Sequence, residues 1–172
     1  MNRLKAIACV DNNWAIGKDN KLLFHIPEDM KFFKKMTTDN VVVMGNNTFK
    51  SMNEKPLPDR INVILTSEIQ YGIIFNNGFI KTEPYGLEKY IQYILKNTNK
   101  DIFFIGGESI YKRYAPMCDD IYITHVEGSA KNPDAYFPKN IINGYNHEII
   151  DRSFSRNNGR IEYWYTMEHW FK

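Results

Sequence analysis

The sequence predicts an α/β fold in which helices flank a mostly parallel central sheet and an antiparallel hairpin forms the C-terminal edge. Continuous apolar segments, such as VVVM at 41–44 and IFFI at 102–105, are typical of strands that are buried on both faces. Segments with helical character follow several of these strands, as they do in parallel sheets. Near the C-terminus, RIEYWYTM at 160–167 alternates like an edge strand, and NNG at 157–159 favours a hairpin turn before it.

The composition is that of an ordinary globular protein. The 172 residues are 43% hydrophobic and 24% charged, and we expect residues 1–172 to form a single domain. A net charge of +2 offers no electrostatic basis for binding nucleic acid or an anionic membrane. The cysteines, Cys9 and Cys118, lack metal-ligand spacing. We therefore expect no metal site, a buried free thiol at Cys9, no membrane span and a cytoplasmic location.

The first part of the chain is predicted to contain a strand, a long loop and a helix. Residues 4–10 form a short apolar segment typical of a buried strand, and residues 11–20 have the composition of a loop with the character of a lid. A hydrophobic stretch begins at Lys21. The helix starts at Pro27, a residue suited to the first helical position, and extends to Met36.

Asp29 in this helix has two interpretations. It lies in the first turn, where the helix dipole favours a negative charge, and a helix-end acid is the more common role for such a residue. Alternatively, it shares the inner face with Phe33, four residues later, and points at a polar ligand. The three-residue spacing of Met30, Phe33 and Met36 also suggests one apolar face. The stretch alone does not decide between the two roles of Asp29.

The rest of the chain is predicted to alternate between strands, helices and loops. In order, the predicted elements are a strand at 41–44, a helical turn at 47–52, a strand at 61–65, a loop at 68–86 with a strand at 78–81 inside it, a helix at 87–96, a strand at 102–105, a helix at 108–114, a strand at 121–126, a polar loop at 127–136, and a hairpin of 147–153 with 160–167.

Several candidate ligand-binding residues fall at the carboxyl ends of the predicted strands, where open α/β sheets bind their ligands. They are the loop 11–26, Gly45, the hydroxyl pair Thr66-Ser67, and Gly106-Gly107. A double glycine before a helix lets backbone approach a ligand, and a helix N-terminus favours an anion. The pattern matches neither the dinucleotide fingerprint nor the P-loop. The agreement among these four positions predicts one site more strongly than any of them alone.

The segments together resemble the dihydrofolate reductase family, nearly from end to end. The resemblance rests on AIACVDNNWAIGKDNKLLFHIPEDMKFFKKMT, VVVMGNNTFKSM, KPLPDRINVILTS, FFIGGESIY, DIYITHVEG and DAYFP, which occur in the order and spacing of the family. It implies NADPH-dependent reduction of 7,8-dihydrofolate to tetrahydrofolate, which supplies one-carbon metabolism and thymidylate synthesis. It also implies antifolate binding and a monomer.

The resemblance assigns roles to individual residues. Asp29 matches the carboxylate that hydrogen-bonds the pterin, and Thr124 matches the hydroxyl that is linked to the pterin and to Asp29 through water. Tyr111 matches the tyrosine beside the nicotinamide. Leu22 and Phe24 would gate the water that delivers the proton. The implied substrate-binding residues are Ile7, Asp29, Met30, Phe33, Met52, Leu57, Arg60, Ile105 and Thr124. The implied cofactor-binding residues are Ala8, Cys9, Ala15, Ile16, Gly17, Gly45, Asn46, Asn47, Thr48, Thr66, Ser67, Lys81, Ile105, Gly106, Gly107, Glu108, Ser109, Ile110 and Tyr111.

Two departures from the family pattern bear on function. Asn46 and Asn47 stand where the family usually carries one or two basic residues, of which an arginine grips the 2′-phosphate that separates NADPH from NADH. We therefore expect weakened discrimination between NADPH and NADH, with Thr66, Ser67 and Lys81 left to hold the phosphate. Leu22-Leu23-Phe24 stands where many members have a proline and a tryptophan, so a water hydrogen-bonded at the last position would lose one donor.

Two other functions fit parts of the sequence. One is a riboflavin-pathway reductase of similar fold that acts on a pyrimidine, and the other is a pteridine- or nucleotide-binding module without activity. Asp29 and Arg60, which suit a pterin and a glutamate tail, argue against the first. Asp29, Thr124 and the glycine pair argue against the second. Without the resemblance, Arg60 would be interpreted as a solvated loop residue, Thr124 as an ordinary strand residue and Tyr111 as a core aromatic.

Overall fold

The computed structural model describes residues 3–70 and 72–172. Its helices are α1 (Pro27–Thr37), α2 (Asn46–Ser51), α3 (Pro84–Asn97) and α4 (Glu108–Tyr114), with short 3₁₀ turns at Ala115–Met117 and Lys139–Ile142. Its strands are β1 (Leu4–Val10), β2 (Ala15–Lys18), β3 (Lys21–Leu22), β4 (Val41–Gly45), β5 (Ile61–Leu65), β6 (Ile73–Asn76), β7 (Phe79–Thr82), β8 (Ile102–Gly106), β9 (Asp120–Val126), β10 (Ala135–Tyr136), β11 (Asn146–Asn157) and β12 (Arg160–Phe171). In this part of the chain, no helix is long and apolar enough to cross a bilayer.

Within the described residues, nine strands form one sheet in the order β11-β12-β9-β1-β8-β4-β5-β7-β6. The six strands from β9 to β7 run parallel to one another. The β11–β12 hairpin joins β9 in antiparallel orientation. These features confirm the predicted α/β fold with its antiparallel C-terminal edge. The opposite edge is also antiparallel, because β6 pairs with β7 in that sense, and the sequence did not predict this second hairpin.

The sheet separates two apolar cores because successive side chains of a strand point to opposite faces. In β1, Ala6 and Ala8 belong to the larger core, which also takes residues of α3 and α4. Ile7 belongs to the smaller core, in which Phe49 of α2 and Phe103 of β8 are buried. The smaller core is bordered by many half-buried residues, so it forms one wall of an open cleft.

Helix α1 begins at Pro27 as predicted, but its apolar face differs from the predicted one. Phe33 and Met36 pack against the smaller core, together with Phe32, whereas Met30 is 43% exposed. A helix turns once every 3.6 residues, so positions 29, 33 and 36 share a face, while position 30 lies about 100° away from position 29. The prediction that Met30 lies on one face with Phe33 and Met36 is therefore wrong.

Short strands replace parts of the loops that the sequence predicts. The loop at 11–20 contains β2, and the loop at 127–136 contains β10, and these two strands with β3 form a small second sheet. In the loop at 68–86, the predicted strand at 78–81 is confirmed as β7, whereas β6 was not predicted, and residue 71 lies outside the described residues. Such two- to four-residue strands are made by contacts with distant segments, which local patterns do not show.

The main predicted helix boundary that differs is that of α3, which starts at Pro84 rather than at residue 87. Glu83 precedes it, and its carboxylate accepts hydrogen bonds from the backbone N–H groups of Tyr85 and Gly86. This capping interaction satisfies backbone donors that the first turn leaves free. The apolar period marks only where the helix meets the core, so it misses this first turn.

The C-terminal hairpin is confirmed and is longer than predicted. Its two-residue turn, Asn158-Gly159, has φ angles of 50° and 80°, as a type I′ turn requires. Register shifts near Ile149 and Ser155 interrupt the pairing of β11 with β12. These irregularities, on an edge strand with mostly exposed residues, explain why the period-two pattern is weak in β11.

Candidate active site

A cleft of about 770 Å³ runs across the carboxyl ends of β1, β8, β4 and β5. Most residues implied to bind the cofactor line it, namely Cys9, Ile16, Gly17, Gly45, Asn46, Asn47, Thr48, Thr66, Ser67, Ile105, Gly106, Gly107, Glu108, Ser109, Ile110 and Tyr111. Ala8 and Ala15 are buried behind this lining. Lys81 does not line the cleft, but its side chain forms an ion pair with Glu68, which is a lining residue. The predicted convergence at the strand ends is thus confirmed in space.

Glycines shape the middle of the cleft. The bond between Gly106 and Gly107 is a cis peptide, and Gly106 has a φ of 126°, which side-chain-bearing residues rarely adopt. A Cβ on Gly107 would lie 3.2 Å from the Thr48 hydroxyl, and one on Gly106 would lie 3.5 Å from the Tyr111 hydroxyl. The two glycines therefore keep space beside these hydroxyl groups that larger residues would fill.

Tyr111 ties this glycine turn to β1. Its hydroxyl donates a hydrogen bond to the Ile7 carbonyl at 2.8 Å, and the side chain is buried. Burial, followed by the negative charges of Cys9 and Asp29 when ionised, raises the pKa of Tyr111 far above its ordinary value. The Tyr111 phenol is therefore a neutral and fixed donor that connects Tyr111 to Ile7, and both residues have implied roles at the reacting centre.

Asp29 and Thr124 do not line this cleft themselves but lie next to it, with Asp29 close to Cys9, which does line it. Burial raises the pKa of the Asp29 carboxyl, and a side-chain hydrogen bond from Thr124 opposes that rise. Thr124, in β9, is only 2% exposed. The pKa of the half-buried Cys9 thiol is raised by burial and by the charge of Asp29. The carboxylate is therefore near a residue that lines the cleft. Cys9 is less buried than predicted.

An apolar wall accompanies this pair. Five residues with implied substrate contacts, Ile7, Phe33, Met52, Leu57 and Ile105, belong to one cluster. Apart from Ile7, they are only partly buried, so they present apolar surface toward the opening. Met30 is separate from this cluster. The structure thus brings together most of the apolar residues implied to contact substrate, and Ile105 is shared with the cofactor cleft.

Arg60 has unused hydrogen-bonding capacity. Its Nη1 donates to Thr38 Oγ1 at 3.3 Å. Its Nε is buried and finds no partner among the described residues. Burial lowers the pKa of Arg60, against the opposing effect of the Asp59 carboxylate. A guanidinium with an unpaired buried N–H is suited to a carboxylate ligand, which it can bind through two parallel hydrogen bonds.

The two residues implied to gate water lie in different environments. Leu22 is 71% exposed and borders the cleft. Phe24 packs edge-on against Tyr163 of β12, with ring centroids 5.2 Å apart, and it faces a second hollow next to the C-terminal hairpin. Leu22 borders both openings, so it is the better placed of the two to limit access to the cleft.

Sequence reasoning missed Asp11, which holds the loop over the cleft. This buried carboxylate accepts hydrogen bonds from the backbone N–H groups of Asn13, Ala15 and Ala130 at 2.8–2.9 Å. It thereby links the segment before β2 to the segment before β10. An aspartate that precedes two asparagines resembles any loop residue in sequence, and only the contact across 119 positions distinguishes it.

Sequence reasoning also missed Lys50 and Glu68, which line the end of the cleft near β5. Lys50 lies four residues after Asn46 in α2, so both face the same side. Glu68 follows the hydroxyl pair Thr66-Ser67 directly. The spacing of Lys50 was available in the sequence, whereas the position of Glu68 depends on how the chain turns after β5.

The residues fit a dinucleotide cofactor. From β9, which carries Thr124, to β5, which precedes Glu68, the sheet spans four strand steps, or roughly 19 Å at the usual spacing. Glycines and the Thr48 hydroxyl line the middle, where a pyrophosphate needs close backbone approach. The buried Asn46 Oδ1, which has no partner among the described residues, offers an acceptor near the β5 end. Fold and cleft together are those of an α/β protein of the dinucleotide-binding class.

Comparison with known proteins specifies the family. The family model described as "Dihydrofolate reductase" matches residues 3–172. A dihydrofolate reductase of Buchnera aphidicola is 33% identical over 170 residues, covering 87% of this chain and 99% of the relative. One of Staphylococcus aureus is 33% identical, covering 78% and 77%. The Enterococcus faecalis enzyme, solved with NADP(H) and RAB-propyl, superimposes with a TM-score of 0.79 at 28% identity, covering 98% and 95%. The chain therefore belongs to the dihydrofolate reductase family.

Proposed function

We propose that this chain reduces 7,8-dihydrofolate to 5,6,7,8-tetrahydrofolate with NADPH, and that Asp29 is its central catalytic residue. The observation that carries the proposal is the Asp29 carboxyl, whose pKa is raised by burial, beside the cleft-lining Cys9 and a half-buried apolar wall. When bound, NADPH supplies the hydride. The same reaction in the relatives and the NADP(H) complex of the Enterococcus faecalis enzyme support the proposal.

Asp29 orients the pterin ring. A carboxylate accepts two hydrogen bonds, so it suits the adjacent amino group and ring nitrogen of the substrate. Its apolar surroundings strengthen these bonds and raise its pKa, while the hydroxyl of Thr124 supports the ionised form. Water delivers the proton to the ring, and Leu22 at the mouth of the cleft limits how much water enters.

The remaining substrate contacts follow from the wall and from Arg60. Phe33, Met52 and Leu57 offer flat apolar surface to the ring that joins the pterin to the glutamate tail. Arg60, with its unpaired Nε, binds the carboxylate of that tail. The Tyr111 hydroxyl holds the Ile7 carbonyl in place, so that this edge of the slot does not shift when a ligand binds.

The cofactor lies along the glycine-lined cleft, with its nicotinamide near Cys9 and Tyr111 and its adenosine near β5. Gly45, Thr48 and Gly106-Gly107 hold the pyrophosphate region. Discrimination between NADPH and NADH is weakened because Asn46 and Asn47 carry no charge. A charge-assisted bond contributes about 1.5–3 kcal/mol, so its loss reduces the preference by roughly one to two powers of ten.

Two assays test the proposal. Loss of absorbance with NADPH and dihydrofolate is expected for the wild type and should be strongly reduced in Asp29→Asn. No turnover by the wild type, or turnover of a pyrimidine substrate instead, would defeat the proposed reaction. The ratio of kcat/KM for NADPH and NADH tests cofactor choice, and Asn46→Arg should increase it. A strong NADPH preference in the wild type would contradict the weakened discrimination.

The setting of the reaction is a further part of the proposal. Cys9 and Cys118 are both free, which fits the reducing cytoplasm. We place the enzyme there as a monomer, and sedimentation of the purified chain tests the oligomeric state.

A further inference from the structure

Glu68 is placed at the β5 end of the cleft by four separate contacts. Its Oε1 accepts a hydrogen bond from Asn46 Nδ2 at 3.0 Å and lies 3.5 Å from Lys50 Nζ. Its Oε2 lies 3.6 Å from Lys81 Nζ. Its own backbone N–H donates to Thr66 Oγ1 at 3.1 Å. Elements α2 and β7 thus both direct a polar group at this one carboxylate.

The contacts determine which chemical groups this end can accept. Two lysines and one glutamate leave a net charge of only +1, because Asn46 adds none. The amide of Asn46 donates to Glu68, and its buried Oδ1 is left without a partner. The exposed acceptor at this end is therefore the Glu68 carboxylate, since the Asn46 carbonyl oxygen is buried. A hydroxyl group can donate to this carboxylate, but a phosphate dianion cannot.

We propose that Glu68 is the residue that sets the preference between NADH and NADPH, by accepting a hydrogen bond from the ribose 2′-hydroxyl and by occupying the lysines that would bind a 2′-phosphate. The inference rests on the proposed function, since it assigns the adenosine to this end. A carboxylate at the ribose is a general device for selecting the unphosphorylated dinucleotide. A 2′-phosphate must displace Glu68 from Lys50 and Lys81 before it can use their charge.

The test compares cofactor binding to wild type and to Glu68→Gln. Isothermal titration at low ionic strength with NADPH and with NADH gives two dissociation constants for each protein. The variant should bind NADPH about tenfold more tightly, because a like charge is removed and two lysines are freed. It should bind NADH several-fold more weakly, since an amide is a weaker acceptor than a carboxylate. The gain for NADPH should shrink with added salt, because the cluster is exposed.

Two further variants make the comparison specific. Glu88→Gln removes the same charge from a site of similar exposure, where the carboxylate pairs with Arg113, and it should change neither constant. Lys81→Met should weaken NADPH binding and leave NADH binding unchanged.

The outcomes separate the two proposals. If Glu68→Gln changes both affinities by the same factor, or changes neither, the role of Glu68 is overturned. If both affinities are lost while the thermal melt is unchanged, Glu68 supports the cleft without discriminating, and the inference fails as well. The wild-type turnover of dihydrofolate is measured independently. Its absence would defeat the proposed function whatever Glu68→Gln does.

Discussion

Two carboxylates, Glu68 in the lining of the cleft and Asp29 next to its opposite end at Cys9, are held in opposite environments. Asp29, near β9 and β1, is surrounded by apolar groups, and burial raises its pKa. Glu68, beyond β5, is exposed, and Lys50 above all, followed by Lys81 and Asn46, lowers its pKa. The same functional group is thus biased toward protonation at one end and toward a permanent charge at the other.

Under the proposed function, this difference separates chemistry from recognition within one fold. A carboxyl whose pKa is raised by burial binds a proton more readily than an exposed one. A carboxylate that lysines keep ionised is a stable acceptor that selects among ligands by charge. We expect substitutions at the Asp29 end to change the rate, and substitutions at the Glu68 end to change which cofactor is used.

The largest effect is expected from Asp29→Asn. The amide keeps the shape but carries no charge and replaces one acceptor oxygen with a donor, so it neither holds the pterin nor supports the protonation by water, and such a loss costs about 10²- to 10⁴-fold in rate. We expect kcat with dihydrofolate and NADPH to fall within this range, as measured by steady-state kinetics. Cofactor affinity should be unchanged. An unchanged kcat would contradict the role of Asp29.

The next effect is expected from Arg60→Met. Loss of a paired, charge-assisted contact to the substrate tail should raise KM for dihydrofolate about 100-fold and leave kcat nearly unchanged. Arg152→Met, on the exposed strand β11, is the matched control and should change neither constant. A pterin substrate without the glutamate tail should not distinguish Arg60→Met from wild type. If it does, Arg60 has another role.

A smaller effect is expected from Thr124→Val. The side chain keeps its volume but loses the hydrogen bond that lowers the pKa of Asp29. The rate should fall about tenfold, in line with a hydrogen bond to a charged group. The apparent pKa in the pH profile of kcat should move upward. The control Thr166→Val, on the neighbouring strand β12, should change neither the rate nor the apparent pKa. A downward or absent shift would show that Thr124 does not act on Asp29.

The buried strands and the short helix of the fold could be predicted closely from sequence. The bounds of β1, β5 and α4 agree with the predictions because continuous apolar runs and flanking glycines are local signals. The hairpin of β6 with β7 was not predicted, because most residues of β6 are exposed and its sequence shows no clear hydrophobic period. Pairing with a neighbouring strand stabilises such segments.

The candidate site likewise has one part that could be predicted from the sequence and one part that could not. Asp29 alone was ambiguous, the resemblance of the surrounding segments gave it a role, and the structure places it near Cys9 in the lining of the cleft. The position of Glu68 between Lys50 and Lys81 depends on the parallel pairing of β5 with β7, which sets Lys81 opposite Ile64. No local pattern encodes that register, so the charged end of the cleft could be found only in the structure.

The smallest effect concerns stability, where the two carboxylates should act with opposite sign. The pKa of Asp29 is raised from 3.8 on folding. Its favourable contribution is therefore present at low pH and is lost as pH rises through the raised value. The pKa of Glu68 is lowered from 4.5, so its contribution is present above that value and is lost as pH falls through the lowered one.

At neutral pH, Asp29→Asn should therefore increase the free energy of unfolding, and Glu68→Gln should decrease it slightly. Urea denaturation between pH 3.5 and about 7 measures both differences from wild type. The difference for Asp29→Asn should grow as pH rises, and that for Glu68→Gln should shrink as pH falls or as salt is added. Stability that moves in the same direction for both variants would mean that burial does not dominate at Asp29, and the contrast between the two ends of the cleft would fail.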